Sequence, residues 1–187
     1  MKLIKQILIE TLGKLAFLLI VLVMVSCSPE STADPAQKNL TTFDLTGGKD
    51  VTRPISIVLE GMDNRDGSGG TTSGEMTHLG KFHGTVAPGS FEDAGNGSFI
   101  FTSLSDDTTV AANGDVLFSR SLLVFVFISQ TQATYSGTIT FVGGTGRFEG
   151  ATGSMQIDNG VYNIIGIDDL GGPMGEYSHK GAGTITY

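Results

Sequence analysis

The sequence predicts an all-β body, a small antiparallel barrel or sandwich, and three observations point there. Beyond about residue 50 no apolar pattern of helical period lasts more than two turns. Short runs instead alternate apolar and polar residues between turn signals rich in glycine, asparagine and aspartate. Glycines also stand inside those runs, at Gly80, Gly137 and Gly166. Such positions mark bulges or sharp bends, which a small sheet needs to curl shut, so closure into a barrel is favoured.

Taken in order, "RPISIVLEG" places Ile55, Ile57 and Leu59 on one face of a first strand. A loop rich in Gly, Ser and Asp leads to "GEMTHLGKFHGTV", and "APGSFEDAGN" leads to "GSFIFTSL". Asn113-Gly114 is a turn signal opening "ANGDVLFSRSLLVFVFISQ", a long apolar strand. "ATYSGTITFV" sets Tyr135, Ile139 and Phe141 opposite Ser136, Thr138 and Thr140. "ATGSMQIDNGVYNIIGID" is one bent strand or a hairpin about Asn159-Gly160, and in "GAGTITY" Ile185 and Tyr187 face away from Thr184 and Thr186.

"FVGGTGRFEGATGS", residues 141–154, invites a nucleotide-binding reading, but the spacing fails. Gly144 and Gly146 are followed by Glu149 where G-x-G-x-x-G needs its third glycine, and no helix pattern follows. A strand-ending turn explains each residue: Gly143, Gly144 and Gly146 permit positive φ, Phe148 plugs an end of the barrel, and Arg147 and Glu149 lie outward. The segment "ITFVGGTGRFEGATGSMQI" resembles the glycine-rich turn of the allene oxide cyclase and dirigent superfamily, with Gly143, Gly144, Thr145, Gly146, Phe148, Ala151 and Gly153 matching. "THLGKF" from Thr77, "ANGDVLF" up to Phe118 and the closing "GTITY" are similar to segments of uncharacterised bacterial proteins with this barrel, so the resemblance spans roughly residues 74–187. It implies an antiparallel barrel of eight strands, often trimeric, and carries over no catalytic set.

The N-terminal part belongs to targeting. Lys2, Lys5 and Lys14 stand against Glu10, and an uncharged apolar run follows from Leu15 to Val25. The run ends in "VMVSCS", which resembles the lipobox of bacterial lipoproteins, with Ser26 before Cys27 and Met24 where leucine is more usual. Cys27 is the single cysteine of the chain, so an exported protein has no internal disulfide partner for it, and lipidation gives it a role. The resemblance implies residues 1–26 as a lipoprotein signal peptide and several fatty-acyl chains of the palmitate class on Cys27. It also implies a place in the bacterial cell envelope, on the outer membrane at its periplasmic or surface side. More than one chain is what stable anchoring takes. The alternative is an ordinary signal or single-pass anchor with an incidental cysteine.

Residues 27–50 read as a lipidated flexible tether. The stretch from Ser28 to Asp50 is polar, with two prolines, and about 23 residues of flexible chain span roughly 25 Å. Residues 51–187 form the barrel domain. Loss of residues 1–26 removes three lysines and one glutamate, so the formal charge moves from −8 for the whole chain to −10. That balance argues against a nucleic-acid partner, which needs a basic face.

Candidate chemistry is sparse. His78 and His83 are five apart on an expected strand and therefore on opposite faces; His78 is the better candidate for the lumen, bonded to backbone carbonyls, and His179 is placed in the last loop. Three ligands would have to converge for a metal, and no metal or cofactor is expected. "MDNRDGSGG", Met62 to Gly70, approaches the D-x-[DN]-x-[DN]-G calcium pattern but has Met62 at its first position, so an acidic hairpin loop is the plainer account and calcium stays open. Arg120 shares parity with Val116, Phe118 and Leu122, a face that could line the lumen with Glu60 or Glu75 as partner; the other reading puts it at the rim or an interface. His78, Arg120 and Tyr135 are thus the candidate ligand-binding residues. Leu122 to Ile128 is apolar on both faces, which predicts a homo-oligomer with this strand at its interface.

These features lead to an expectation of a barrel that binds a small apolar ligand or serves as an interaction module. The rival is a cofactor-independent isomerase or cyclase working in the same lumen. An enzyme needs an acid, base or charge stabiliser touching its ligand, so a purely apolar or filled lumen would favour the first. A third possibility is a ligand-free structural protein whose lumen is packed by Phe99, Phe101, Phe118, Tyr135 and Phe141.

Overall fold

The computed structural model describes residues 51–187. The expected signal segment 1–26, Cys27 and the tether 27–50 lie outside the described residues. Ten strand segments follow one another: β1 (Thr52–Asp63), β2 (Gly70–Met76), β3 (Gly80–Val86), β4 (Gly89–Gly95), β5 (Ser98–Ser103), β6 (Asp107–Ala111), β7 (Val116–Phe127), β8 (Gln132–Gly144), β9 (Thr152–Ile167) and β10 (Pro173–Thr186). All neighbours are antiparallel, and β7 pairs with β8 to close the ring.

Eight courses make the barrel, because two pairs of segments are single strands broken in the middle. β3 and β4 are separated by Ala87 and Pro88, and β5 and β6 by residues 104–106. β3 pairs with β6, β4 with β5, and β5 and β6 share the same edge of β7. Pro88 has no N–H to give the ladder. The preceding Ala87 N–H donates instead to the Asp107 carboxylate across the break, at 2.7 Å. The expected closed antiparallel barrel of eight strands is therefore present. β9 runs unbroken through Asn159 and Gly160, so of the two readings of that segment the single strand holds.

Alternation decides what faces in. Ile55, Ile57 and Leu59 of β1 are buried, as are Leu117, Ser119, Ser121, Leu123 and Phe125 of β7 and Tyr135, Ile139 and Phe141 of β8. Gly137, with φ 149°, lies at the register shift between Tyr135 and Gly137 and keeps Tyr135 on the inner face. "GEMTHLGKFHGTV" departs from expectation: it is no single strand but the end of β2, a turn and β3. His78 has φ 71° in that turn, a conformation a side chain adopts at some cost, and Gly80 follows at φ 73°. "PMGEYSHK", expected as loop, is the first half of β10.

One end of the barrel is sealed by the glycine turn. Gly143 and Gly146 take positive φ, 138° and 58°. Gly144 does not; a side chain there would collide with the Val116 carbonyl and Phe148, so its role is close approach. Gly146–Phe148 forms a 3-10 turn that drives Phe148 inward until nothing of it is exposed. Its ring meets Tyr187 at 5.2 Å between centroids, while Arg147 stays outside over the Phe148 ring with Asp115 beside it.

Candidate functional site

The opposite end is open, and a cavity of about 290 Å³ runs from it into the lumen. Its inner walls are Ile57, Leu59, Met76, Ile139, Phe141 and Met155; its mouth is made by the loops after β1 and β9 and by the break before β4. An eight-stranded barrel has room for packed side chains or for one small ligand, and here the space is left. Glycines help leave it. A side chain at Gly61 would strike the Tyr177 ring, one at Gly160 the Tyr135 ring, and one at Gly175 the Tyr162 ring. Each tyrosine thus lies flat against the wall over a glycine instead of crossing the lumen. The structural reading with a filled lumen is overturned by this space, and Phe118, one of its proposed fillers, lies on the outer face, where the inward alternation of Leu117 and Ser119 puts it.

An aromatic series runs along the mouth and upper wall. Phe91 lies 5.1 Å from Phe101 and 5.7 Å from Phe125 between centroids, and Phe125 stacks on Tyr135 at 4.9 Å. Tyr162 meets Phe125 edge-on at 5.8 Å. Phe91 is 57% exposed at the rim, so this surface passes from solvent to core without interruption.

Polar groups converge on the same space. Tyr162 donates its hydroxyl to Asp63 Oδ2 at 2.5 Å. Asp107 accepts the Ala87 N–H on Oδ1 and the Ser121 hydroxyl on Oδ2, at 2.7 and 2.9 Å. Tyr135 Oη lies 2.8 Å from His179 Nδ1, and Nε2 of that imidazole is buried with no partner. Asp168, at the mouth, accepts the N–H groups of Leu170 and Gly172.

Burial sets the titration of these groups. Desolvation pushes the Asp107 carboxyl up to about 6 against the opposing effect of its two hydrogen bonds, and nearby Asp106 adds to the rise. Desolvation also raises Asp63; the Tyr162 hydrogen bond opposes it and the Asp168 charge reinforces it. His179 is pushed down to about 4 by burial and is neutral at physiological pH. Burial lifts the phenols of Tyr135, Tyr162 and Tyr177 well above the ordinary range.

Of the residues singled out in the sequence, Tyr135 lines the lumen. His78 does not: it is exposed in the turn at the sealed end, its Nε2 3.1 Å from the Pro54 carbonyl. Arg120 does not either. It is on the outer face of β7 and paired with Asp106 at 2.6 Å, with Glu60 and Glu75 taking no part. The parity was misleading because both faces of β7 are apolar. The inner set is Leu117, Ser119, Ser121, Leu123 and Phe125. His83 is exposed on β3, whereas His179 is buried on β10. In the 62–70 loop Asp66 accepts its own loop's Ser68 N–H and Asp63 turns to Tyr162. Among the described residues no three His, Cys, Asp or Glu side chains group as metal ligands. Sequence reasoning missed Asp63, Asp107, Tyr162, Tyr177 and His179. The last two had a signal in the alternation of Tyr177 and His179 with Glu176, Ser178 and Lys180.

No protein-family model matches the chain, and no curated protein matches it. Among solved structures, it is similar to the pterocarpan synthase dirigent protein GePTS1. The identity is 12%, the TM-score 0.34, and the match covers 74% of this chain and 87% of that one. It is also similar to the pterocarpan synthase dirigent protein PsPTS1, at 11% identity and a TM-score of 0.31, over 75% of this chain and 96% of that one. Functional meaning therefore has to come from the lumen's own residues.

Proposed function

We propose that this protein is an envelope lipoprotein, held on the outer membrane through acyl chains on Cys27, whose barrel binds a small apolar ligand in its lumen. The observation that carries the reading is the open cavity with apolar walls, an aromatic mouth and a few converging polar groups, the usual composition of a small-molecule site. The charged start, apolar run and lipobox-like "VMVSCS" support the anchor. Self-association is supported by an outer-face stripe on and beside β7, where Leu122, Val124, Val126 and Ile128 are 39–59% exposed.

A specific observation favours a second reading. The lumen is neither filled nor purely apolar, and Asp107, tuned toward neutrality, and Asp63 are groups that could move a proton on a bound molecule. A cofactor-independent isomerase or cyclase in the same lumen is that alternative.

Native mass spectrometry of the protein purified from its own membrane tests both. The expected spectrum shows a chain beginning at acylated Cys27, more than one copy per particle and a retained small molecule. Returning that molecule to fresh protein separates the readings: a binding module gives it back unchanged, whereas an isomerase yields an equal mass with altered chromatographic retention. A mature chain without acyl mass would sink the anchor, and an empty lumen in every preparation would sink the ligand.

A further inference from the structure

Most of the lumen's hydroxyl donors are already used within the protein, Ser119 and Thr109 excepted, whereas its carboxylates retain acceptor capacity. Tyr177 donates its hydroxyl to the Thr71 carbonyl at 3.0 Å, Thr72 to the Glu60 carbonyl at 3.1 Å, Tyr162 to Asp63 and Ser121 to Asp107. Tyr135 Oη is 3.3 Å from the Ser178 carbonyl and 2.8 Å from His179 Nδ1. A phenol has one proton, so both bonds form only if Tyr135 donates to Ser178 and accepts from Nδ1–H. The Nε2 atom is then a bare lone pair, on a side chain that lines the lumen and is 8% exposed. A carboxylate accepts up to about four hydrogen bonds, and Asp63 and Asp107 have capacity left after those described.

The charges agree with the census. Asp63, Asp107 and Asp168 line the cavity, and among the described residues no lysine or arginine does. Asp63 and Asp107 both act electrostatically on Tyr177, which lines the same cavity, and Asp168 acts on Asp63. Burial of Asp107 and the Asp168 charge beside half-buried Asp63 raise the cost of ionising these carboxyls in the absence of a cation. An anionic or acceptor-only ligand would worsen that cost, whereas a cation with several N–H donors relieves it. Aromatic faces around the same space, Phe125 and Tyr162 among them, attract a cation further.

Resting on the ligand-binding reading above, we propose that the occupant of the lumen is a small apolar or aromatic molecule bearing a protonated amine. Its ammonium is held by Asp63 and Asp107, and its hydrocarbon lies along Phe91, Phe101 and Phe125. Fatty acids and other carboxylates are excluded by the same groups.

The test uses three probes of one skeleton, 2-naphthylmethylamine, 2-naphthalenemethanol and 2-naphthoate. Each is titrated calorimetrically at neutral pH into the full-length protein in zwitterionic nanodiscs, with empty discs as control. The expected result is one amine per chain, bound at least about tenfold more tightly than the alcohol, with no heat from the carboxylate. Asp107→Asn and Asp63→Asn should each weaken the amine about tenfold or more and leave the alcohol unchanged. Alcohol binding as tight as the amine, or any binding of the carboxylate, would overturn the cationic ligand while leaving an apolar site in place. Equal losses of amine and alcohol in both variants would do the same, by assigning the aspartates to structure alone. Silence from all three probes would remove the lumen-binding reading itself.

Discussion

At the end of the barrel carrying the glycine turn, Phe148, Leu117, Ala151 and Ile185 are each at most 1% exposed. At the other end Phe91 stands 57% exposed above a cavity holding buried Asp107, half-buried Asp63 and Asp168 and a half-satisfied histidine. The same β7 and β8 strands build both. Toward the sealed end they contribute Leu117 and Phe141, and toward the mouth Ser121, Phe125 and Tyr135. One end gains stability from burial of hydrocarbon; the other gives some of it up by desolvating groups that would rather be wet. Groups held at such a cost are where binding or chemistry is to be sought.

The largest effect expected from breaking this contrast is at the seal. Phe148→Ala should lower the unfolding free energy by about 3–5 kcal/mol, the usual range for a buried aromatic cut to alanine, as measured by urea titration. Folded Phe148→Ala protein should still bind the naphthyl amine. A loss under about 1 kcal/mol would mean that Phe148 does not close the barrel.

At the mouth the contrast is sharpened by pH. Burial lifts the Asp107 carboxyl to about 6 in the folded state from an ordinary 3.8, so between those limits the folded state holds the extra proton. Its contribution to stability therefore falls as pH rises through that window, by about 3 kcal/mol in full. Asp63, also raised, acts in the same sense. His179 titrates near 4 against 6.5; the unfolded state holds the extra proton, and stability rises with pH by a similar amount. The slopes oppose each other between about pH 4 and 6. Asp107→Asn should make stability climb more steeply with pH there, and His179→Gln should make it fall. Urea midpoints at pH 4, 5 and 6 decide this; parallel profiles for the two variants would show that burial does not tune these groups.

The smallest effect belongs to the outer wall. Arg120→Ala removes a pair whose side chains are 60% and 40% exposed, worth less than about 1 kcal/mol. Probe affinity should not change. A large loss of binding would return Arg120 to the site from which its position removes it.

The sequence made the sealed end readable because a turn is local. Gly143, Gly146 and Phe148 fix backbone angles and one buried ring within six residues, and their spacing carries that information. The mouth is assembled from β1, β4, β5, β6, β7, β8, β9 and β10, and its members look ordinary one at a time. Asp107 in "SDDTTVA" has the same neighbours a surface aspartate would have. Alternation with Thr109 and Ala111 turns Asp107 inward, and the break at Pro88 frees the Ala87 N–H to meet it there. Arg120 was misplaced because Phe118, Leu122 and Val124 look as inward-facing as Leu117 and Leu123. His179 was hidden by the glycines and charges of "GGPMGEYSHKG", which resemble a loop until Tyr177 and His179 are counted in alternation.

β4 is the one strand described that has a single neighbour, because β2 begins only at Gly70, opposite Val86, and does not reach past the break at Pro88. A row of unbonded backbone amides on such a margin is a template for adding another chain's strand. Glu92 and Asp93 and the register shift between Asp93 and Gly95 make that margin charged and uneven. The break that opens the barrel wall thus also leaves a bare strand margin, and its acidic side chains and uneven register discourage the edge-to-edge pairing that would zip copies of the protein into fibres.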